Sequence, residues 1–210
     1  MRSARYLLLA IGLAAGQAAV AHDFSANIGF MSDYFFRGVK QSESSASGGL
    51  DWEHKGFYAG TWIADVEEGI EYDLYAGYNG SIGDFTYGLG ATGYFYTDDF
   101  DDTYTEGNLS LGYSFVTVDY AYGEYENFSG PTLDYDFLSV TGEYEGFYLT
   151  YGTWGQDFDG DYFEGGWGTE ISGIDFGVAA IYSDEDLAGG DSGETSFVFT
   201  IGKTFDLGSL

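Results

Sequence analysis

The sequence predicts an all-β fold, a transmembrane antiparallel β-barrel of about twelve strands. Three observations predict it. Apolar residues alternate with polar ones at a period of two along segment after segment, the connections between segments are alternately long and short, and the number of segments is even. The stretch from Phe24 sets the pattern: Phe24, Ala26, Ile28, Phe30, Tyr34 and Phe36 share one parity, against Ser25, Asn27, Gly29, Asp33 and Arg37 on the other. A period of two places these sets on opposite faces of a strand.

Composition narrows the class. The chain of 210 residues holds 35 Asp and Glu against 6 Lys and Arg, a net charge of −29, and no cysteine. Disulfides therefore contribute nothing to its stability. Such acidity can signal disorder, but disordered chains are poor in aromatics, and this one carries 20 Tyr, 18 Phe and 4 Trp. Residues 1–21 read as a cleaved secretory signal peptide: Arg2 and Arg5 precede the apolar run LLLAIGLAA, and Ala19-Val20-Ala21 ends it. Residues 22–210 then form a single barrel domain. The basic residues left after cleavage, Arg37, Lys40, Lys55 and Lys203, are too few and too scattered to hold nucleic acid.

Taken in order, the segments fall at roughly 24–36, 46–54, 57–65, 70–79, 85–96, 104–114, 116–125, 136–144, 147–156, 162–171, 174–183 and 194–205. In the fourth, Ile70, Tyr72, Leu74, Ala76 and Tyr78 lie opposite Glu71, Asp73 and Asn79. The fifth places Phe85, Tyr87, Leu89, Ala91 and Phe95 opposite Thr86, Gly88, Gly90 and Thr92. Matching apolar faces come from Val116, Val118, Tyr120 and Tyr122, from Ile174, Phe176, Val178, Ala180 and Tyr182, and from Phe197, Phe199, Ile201 and Phe205. The third and ninth segments are mixed on both faces. No helix-period segment follows the leader.

The connections sort into two classes. Loops at 37–45, 66–69, 97–103, 126–135, 157–161 and 184–193 are polar or acidic, and short turns fall near Lys55-Gly56, Gly80 to Gly83, Ser114-Phe115, Glu145-Gly146 and Ser172-Gly173. Antiparallel strands joined this way gather all long loops at one end and all short turns at the other. Each short turn is followed by a phenylalanine, Phe57, Phe85, Phe115, Phe147 or Phe176, a candidate aromatic girdle. A second ring is expected near the loop ends, from Phe36, Trp62, Tyr96, Tyr125, Trp154 and Tyr182. A soluble sandwich would show the same alternation. Segment lengths near the roughly 9–11 residues of a tilted spanning strand, with the alternating connections, favour the barrel, which must close because unpaired backbone is costly in hydrocarbon.

If the apolar faces meet lipid, the opposite faces line the interior. These carry Asp33, Glu53, Glu71, Asp73, Glu106, Asp119, Glu143, Glu164, Glu170 and Asp175, with Arg37 as the rare cation. Rings of carboxylates favour cations through a pore, and a low-dielectric wall focuses their field. The expectation is a cation-leaning passive channel for ions or small solutes. Its alternatives are a non-conducting barrel, its interior filled by Tyr, Arg37 and carboxylates, whose acidic loops bind a partner or divalent ions, and a secreted soluble acidic β domain. Arg37 is read either as a constriction residue or as the neutraliser of a buried acid.

Other chemistry finds little support. Asp157, Asp159 and Asp161 copy the first three ligand positions of a calcium loop, but Tyr162 stands where glycine is required and Gly168 where glutamate should close it. They are a weak metal candidate, and no cofactor is expected. With only His22 and His54, a Ser-His-Asp site has one credible base, and zinc lacks ligands. The chain is not expected to be an enzyme.

Ser32-Asp33-Tyr34-Phe35-Phe36-Arg37-Gly38, then Gln41-Ser42 and GGLDWEHKGFYAGTW over residues 48–62, resemble the N-terminal signature of the TorF-type porin family of proteobacteria. The resemblance implies an exported channel in the outer membrane of a Gram-negative bacterium. Outer-membrane lipid is then expected around the barrel, and the inward acids lead to small solutes or cations as the expected cargo.

Overall fold

Alternation at a period of two builds long strands, and a computed structural model, which describes residues 24–208, joins them into one closed sheet. The elements in chain order are β1 (Phe24–Met31), β2 (Tyr34–Phe36), β3 (Val39–Ser42), β4 (Ser45–His54), β5 (Phe57–Asp65), β6 (Ile70–Ile82), β7 (Phe85–Tyr96), β8 (Tyr104–Tyr113), β9 (Val116–Tyr125), β10 (Leu133–Tyr144), β11 (Phe147–Gln156), β12 (Asp161–Ile171), β13 (Ile174–Ser183), α1 (Glu185–Ala188) and β14 (Glu194–Gly208). Strand β1 pairs with β4 on one side, Phe24 opposite Trp52 through Met31 opposite Ser45. On its other side it pairs with β14, Ala26 opposite Phe205 through Met31 opposite Thr200, and this seam closes a twelve-stranded antiparallel barrel. The expected leader over 1–21 lies outside the described residues.

Five two-residue turns gather at one end. Lys55-Gly56, Glu145-Gly146 and Ser172-Gly173 have positive φ at both residues, the backbone whose twist matches a right-twisted hairpin. The longer connections gather at the other end, called the loop end below. The second turn falls at Gly83-Asp84, because β6 runs on to Ile82. One further departure is α1, a single turn in the last loop, capped by the Asp184 side chain accepting from the Leu187 backbone N–H. Four residues are too few to show a helical period.

The first segment needs a larger correction. Its strand ends at Met31, the chain bends at Ser32-Asp33, and Tyr34–Phe36 pairs with Val39–Ser42 in a separate two-stranded hairpin. A hydrogen bond from the Ser32 N–H to the Phe199 carbonyl and one from the Phe199 N–H to Ser32 Oγ fix the bend against β14. Tyr34 and Phe36 keep the parity of Phe24 to Phe30 but leave the wall, and Tyr34 is buried inside the barrel.

Burial is inverted relative to a soluble fold. Leu50, Leu74, Leu89, Leu111, Leu149 and Phe197 face outwards, with Leu89 61% and Phe197 77% exposed. The interior instead holds Met31, Tyr34, Trp62, Tyr125, Tyr135, Phe137, Trp154 and Tyr162 towards the loop end. The register also orients the two mixed segments. In β5 Tyr58, Trp62 and Ala64 point inwards, and in β11 so do Tyr148, Thr150 and Trp154.

Candidate functional site

The lumen is the candidate site, and the β2–β3 hairpin lies across its loop end. The hairpin turns at Arg37-Gly38, both with positive φ (48° and 86°). Glycine is needed at the second of these positions, because a Cβ on Gly38 would stand 2.8 Å from both Leu187 Cδ1 of α1 and Tyr162 Cβ of β12. Wall side chains hold the tip by its carbonyls: Trp154 Nε1 donates to the Arg37 oxygen at 3.0 Å, and Ser183 Oγ donates to the Gly38 oxygen at 2.5 Å.

The Arg37 side chain makes the strongest link. Its Nη1 and Nη2 donate to Glu106 Oε2 and Oε1 of β8 at 2.8 and 2.7 Å. Paired N–H donors in a fork match a carboxylate in both spacing and charge. The guanidinium carbon stands 4.4 Å from the Phe137 ring centre and 4.9 Å from that of Phe36, where the ring faces attract it. Burial opposes its positive charge and the Glu106 carboxylate outweighs that, so the Arg37 pKa lies above the usual guanidinium value. Glu106 also accepts from the Tyr94 and Tyr135 hydroxyls at 2.8 and 2.9 Å and from Asn108 Nδ2 at 2.6 Å.

Elsewhere on the hairpin, the Tyr34 hydroxyl donates to Glu71 Oε1 of β6 at 2.8 Å. Its pKa is pushed well up, first by burial and then by the charges of Glu71 and Asp73. Lys40 Nζ stands 2.7 Å from Asp33 Oδ1, and that hydrogen bond raises the Lys40 pKa. Above the hairpin, Phe158 packs on Tyr104, Tyr125, Tyr135 and Trp154, and Asp101 accepts from the Tyr104 and Tyr125 hydroxyls. The loop-end half of the lumen is thus filled by a packed, hydrogen-bonded plug.

The expected acids distribute as follows. Register places Glu53, Glu71, Asp73, Glu106, Asp119, Glu143, Glu164, Glu170 and Asp175 on the inner face of the wall. Asp33 is a correction: it sits in the bend before β2, off the wall, bound to Lys40. Glu71, Asp73 and Glu106 gather under the hairpin, and Asp119 lies opposite Ser110 and Ser139. Glu164 accepts from the Tyr148 hydroxyl. Glu170 faces Asp175 directly across β12 and β13, near the tight-turn end, where Glu53 and Glu143 are exposed.

Of the aromatic girdle, Phe57, Phe85, Phe115 and Phe147 are exposed around the tight-turn end, and Phe176 shares the outward parity of Val178. Phe57 packs on Tyr78, Phe85 on Tyr113 and Phe147 on Trp167. The expected second ring is a correction. Trp62, Tyr96, Tyr125 and Trp154 point into the lumen, Phe36 lies on the hairpin, and Tyr182 alone of the six faces out, because filling the loop-end interior takes precedence there. Asp157, Asp159 and Asp161 do not converge. They accept separately from the Asp134 N–H, the Gly160 N–H and the Tyr151 hydroxyl, and no group of three metal-binding side chains forms among the described residues.

Sequence reasoning missed Asp51, which accepts from the Tyr75 hydroxyl at 2.5 Å and from Asn27. It also missed the phenols around Glu106. The available signal was Arg37-Gly38 between Phe35-Phe36 and Val39, a hairpin-turn pattern with the rare cation at its tip.

Solved structures share the architecture. A chain from "Unveiling the Mechanism Behind the in-meso Crystallization of Membrane Proteins" aligns at a TM-score of 0.60 with 10% identity, over 88% of this chain and 83% of its own. The KdgM porin aligns at 0.56 with 9% identity, over 86% of this chain and 98% of its own. At such identities the likeness is one of fold. No curated protein matches the sequence. The family described as "Bacterial protein of unknown function (Gcw_chp)" matches residues 15–205.

Proposed function

The chain belongs to the Gcw_chp family of bacterial proteins, and from that premise we propose that it is an outer-membrane channel of porin type, obstructed at its loop end by its own first loop. The observation that carries this reading is the inverted burial, a closed barrel with apolar side chains outside and carboxylates inside. Contiguous exposed apolar surface on this scale marks contact with lipid. Residues 1–21 export the chain, and residues 22–210 form the barrel in the outer membrane of a Gram-negative cell, tight turns in the periplasm and acidic loops outside. The TorF-type resemblance of residues 32–62 supports the same placement. A soluble acidic β domain would have to leave Leu50, Leu89 and Phe197 in water.

The inner acids give the lumen a negative potential, so passive flow leans towards cations. The channel has no catalytic role. A second reading, a non-conducting barrel whose loops meet a partner, is favoured by one observation: the plug of Arg37, Glu106, Trp154 and Phe158 fills the loop end. Planar-bilayer recording of refolded protein in a salt gradient tests both. Steady conductance with a cation-shifted reversal potential supports the channel. Silence from folded, heat-modifiable protein, persisting when Arg37 is replaced by alanine, sinks it in favour of the second reading.

A further inference from the structure

The inner face of β6 carries two acids two residues apart, Glu71 and Asp73, both with 0% exposure. Asp73 lies between Trp62 and Tyr94 of the neighbouring strands, and Glu71 between Ala64 and Tyr96. Glu71 Oε1 accepts from Tyr34, but among the described residues Glu71 Oε2 and both Asp73 oxygens have no hydrogen-bond partner. A fully buried carboxylate without partners is costly unless something neutralises it.

Among the described residues no side chain in reach does so. The charges acting most strongly on Asp73 are those of Glu71 and Glu106. Arg37 gives both its Nη groups to Glu106, and Lys40 is held by Asp33. Lys55 sits in a tight turn and Lys203 on the outer face, stacked on Phe205. With all three ionised, the buried acids Glu71, Asp73 and Glu106 against the one Arg37 guanidinium leave two negative charges in excess.

We infer that Glu71 and Asp73 together hold one hard divalent cation, Ca²⁺ or Mg²⁺, under the hairpin. The donor set is oxygen only, which suits these ions and not a soft metal. Two carboxylates with water completing the shell is a usual arrangement for Mg²⁺. A charge of two cancels the local excess. Because Tyr34 donates to Glu71, the ion also fastens the first strand of the hairpin to the wall. The inference does not require the barrel to conduct.

The test uses the full chain folded in detergent, stripped with chelator and titrated with CaCl₂ or MgCl₂ at fixed ionic strength. The readouts are the midpoint of the heat-modifiability transition and, with Mn²⁺ as probe, the number of ions bound by electron paramagnetic resonance. Wild type is expected to bind one ion tightly, with a midpoint rise of roughly 5 °C or more at a hundredfold excess over Kd. Asp73→Asn and Glu71→Gln should each weaken binding by roughly tenfold or more, since affinity follows ligand charge. Should either variant fail to fold, Mn²⁺ stoichiometry on wild type still decides. An indifferent midpoint, an equal response in wild type and Asp73→Asn, or no tight Mn²⁺ overturns the inference. So does an infrared band of a protonated carboxyl in saturating Ca²⁺ at neutral pH that Asp73→Asn removes.

Discussion

Replacing Arg37 by alanine removes the side chain that ties the hairpin tip to the far wall. Glu106 is fully buried, and the Arg37 side chain is only 10% exposed. Removing one partner of a buried pair costs about 3–5 kcal/mol, because the other charge stays behind unpaired. The value should fall at the low end, since Tyr94, Tyr135 and Asn108 still donate to Glu106. Other hairpin contacts survive, among them the hydrogen bonds of Trp154, Ser183 and Tyr34 and that from the Glu67 N–H to the Gln41 carbonyl, each contributing on the order of 1 kcal/mol. The hairpin is therefore loosened, and its displaced fraction rises by about two orders of magnitude for 3 kcal/mol. The assay pairs the heat-modifiability midpoint with bilayer recording for Arg37→Ala, Glu106→Gln and the double variant. Each single change should lower the midpoint by roughly 6 °C or more. The double change should be milder than the sum, by a coupling of about 2 kcal/mol, and Arg37→Ala should conduct more than wild type. Additive effects with unchanged conductance would refute the reasoning, because they would place Arg37 in water and the hairpin outside the lumen.

Other outcomes follow from single contacts. Gly38→Ala should destabilise by about 1–2 kcal/mol from its left-handed backbone alone, and more from the approach of Leu187 and Tyr162, read as a lower midpoint. Tyr34→Phe leaves Glu71 Oε1 without its donor and should cost about 1–3 kcal/mol, with a smaller midpoint shift than Arg37→Ala. Leu89→Arg puts a charge on the outer face of β7. Folding into lipid vesicles, followed by gel shift against urea, should lose about 2–4 kcal/mol, whereas in a soluble barrel so exposed a site would change by less than about 0.5 kcal/mol.

How legible each feature was depends on its range. The strands were legible because period two is local: Ile70, Tyr72 and Leu74 against Glu71 and Asp73 needs only neighbours. The turns were legible where a dipeptide such as Glu145-Gly146 suits positive φ. The Arg37–Glu106 pair joins a hairpin tip to a distant strand, and nothing in the spacing of these residues selects Glu106 from the other inward acids.

By itself, the sequence determined the fold class, the twelve wall segments apart from the end of the first, the parity of the inward carboxylates on β4, β6, β8 to β10, β12 and β13, and the outward Phe57, Phe85 and Phe147. Tertiary structure decided that Tyr34, Phe36 and Arg37 leave the wall to plug the lumen, and that Trp62, Tyr125 and Trp154 meet them there. The physical reason is that alternation separates two faces without saying what each face touches. An aromatic ring gains as much from a packed interior as from lipid, and only barrel closure and the bend at Ser32-Asp33 bring the hairpin within reach of Glu106 and Trp154.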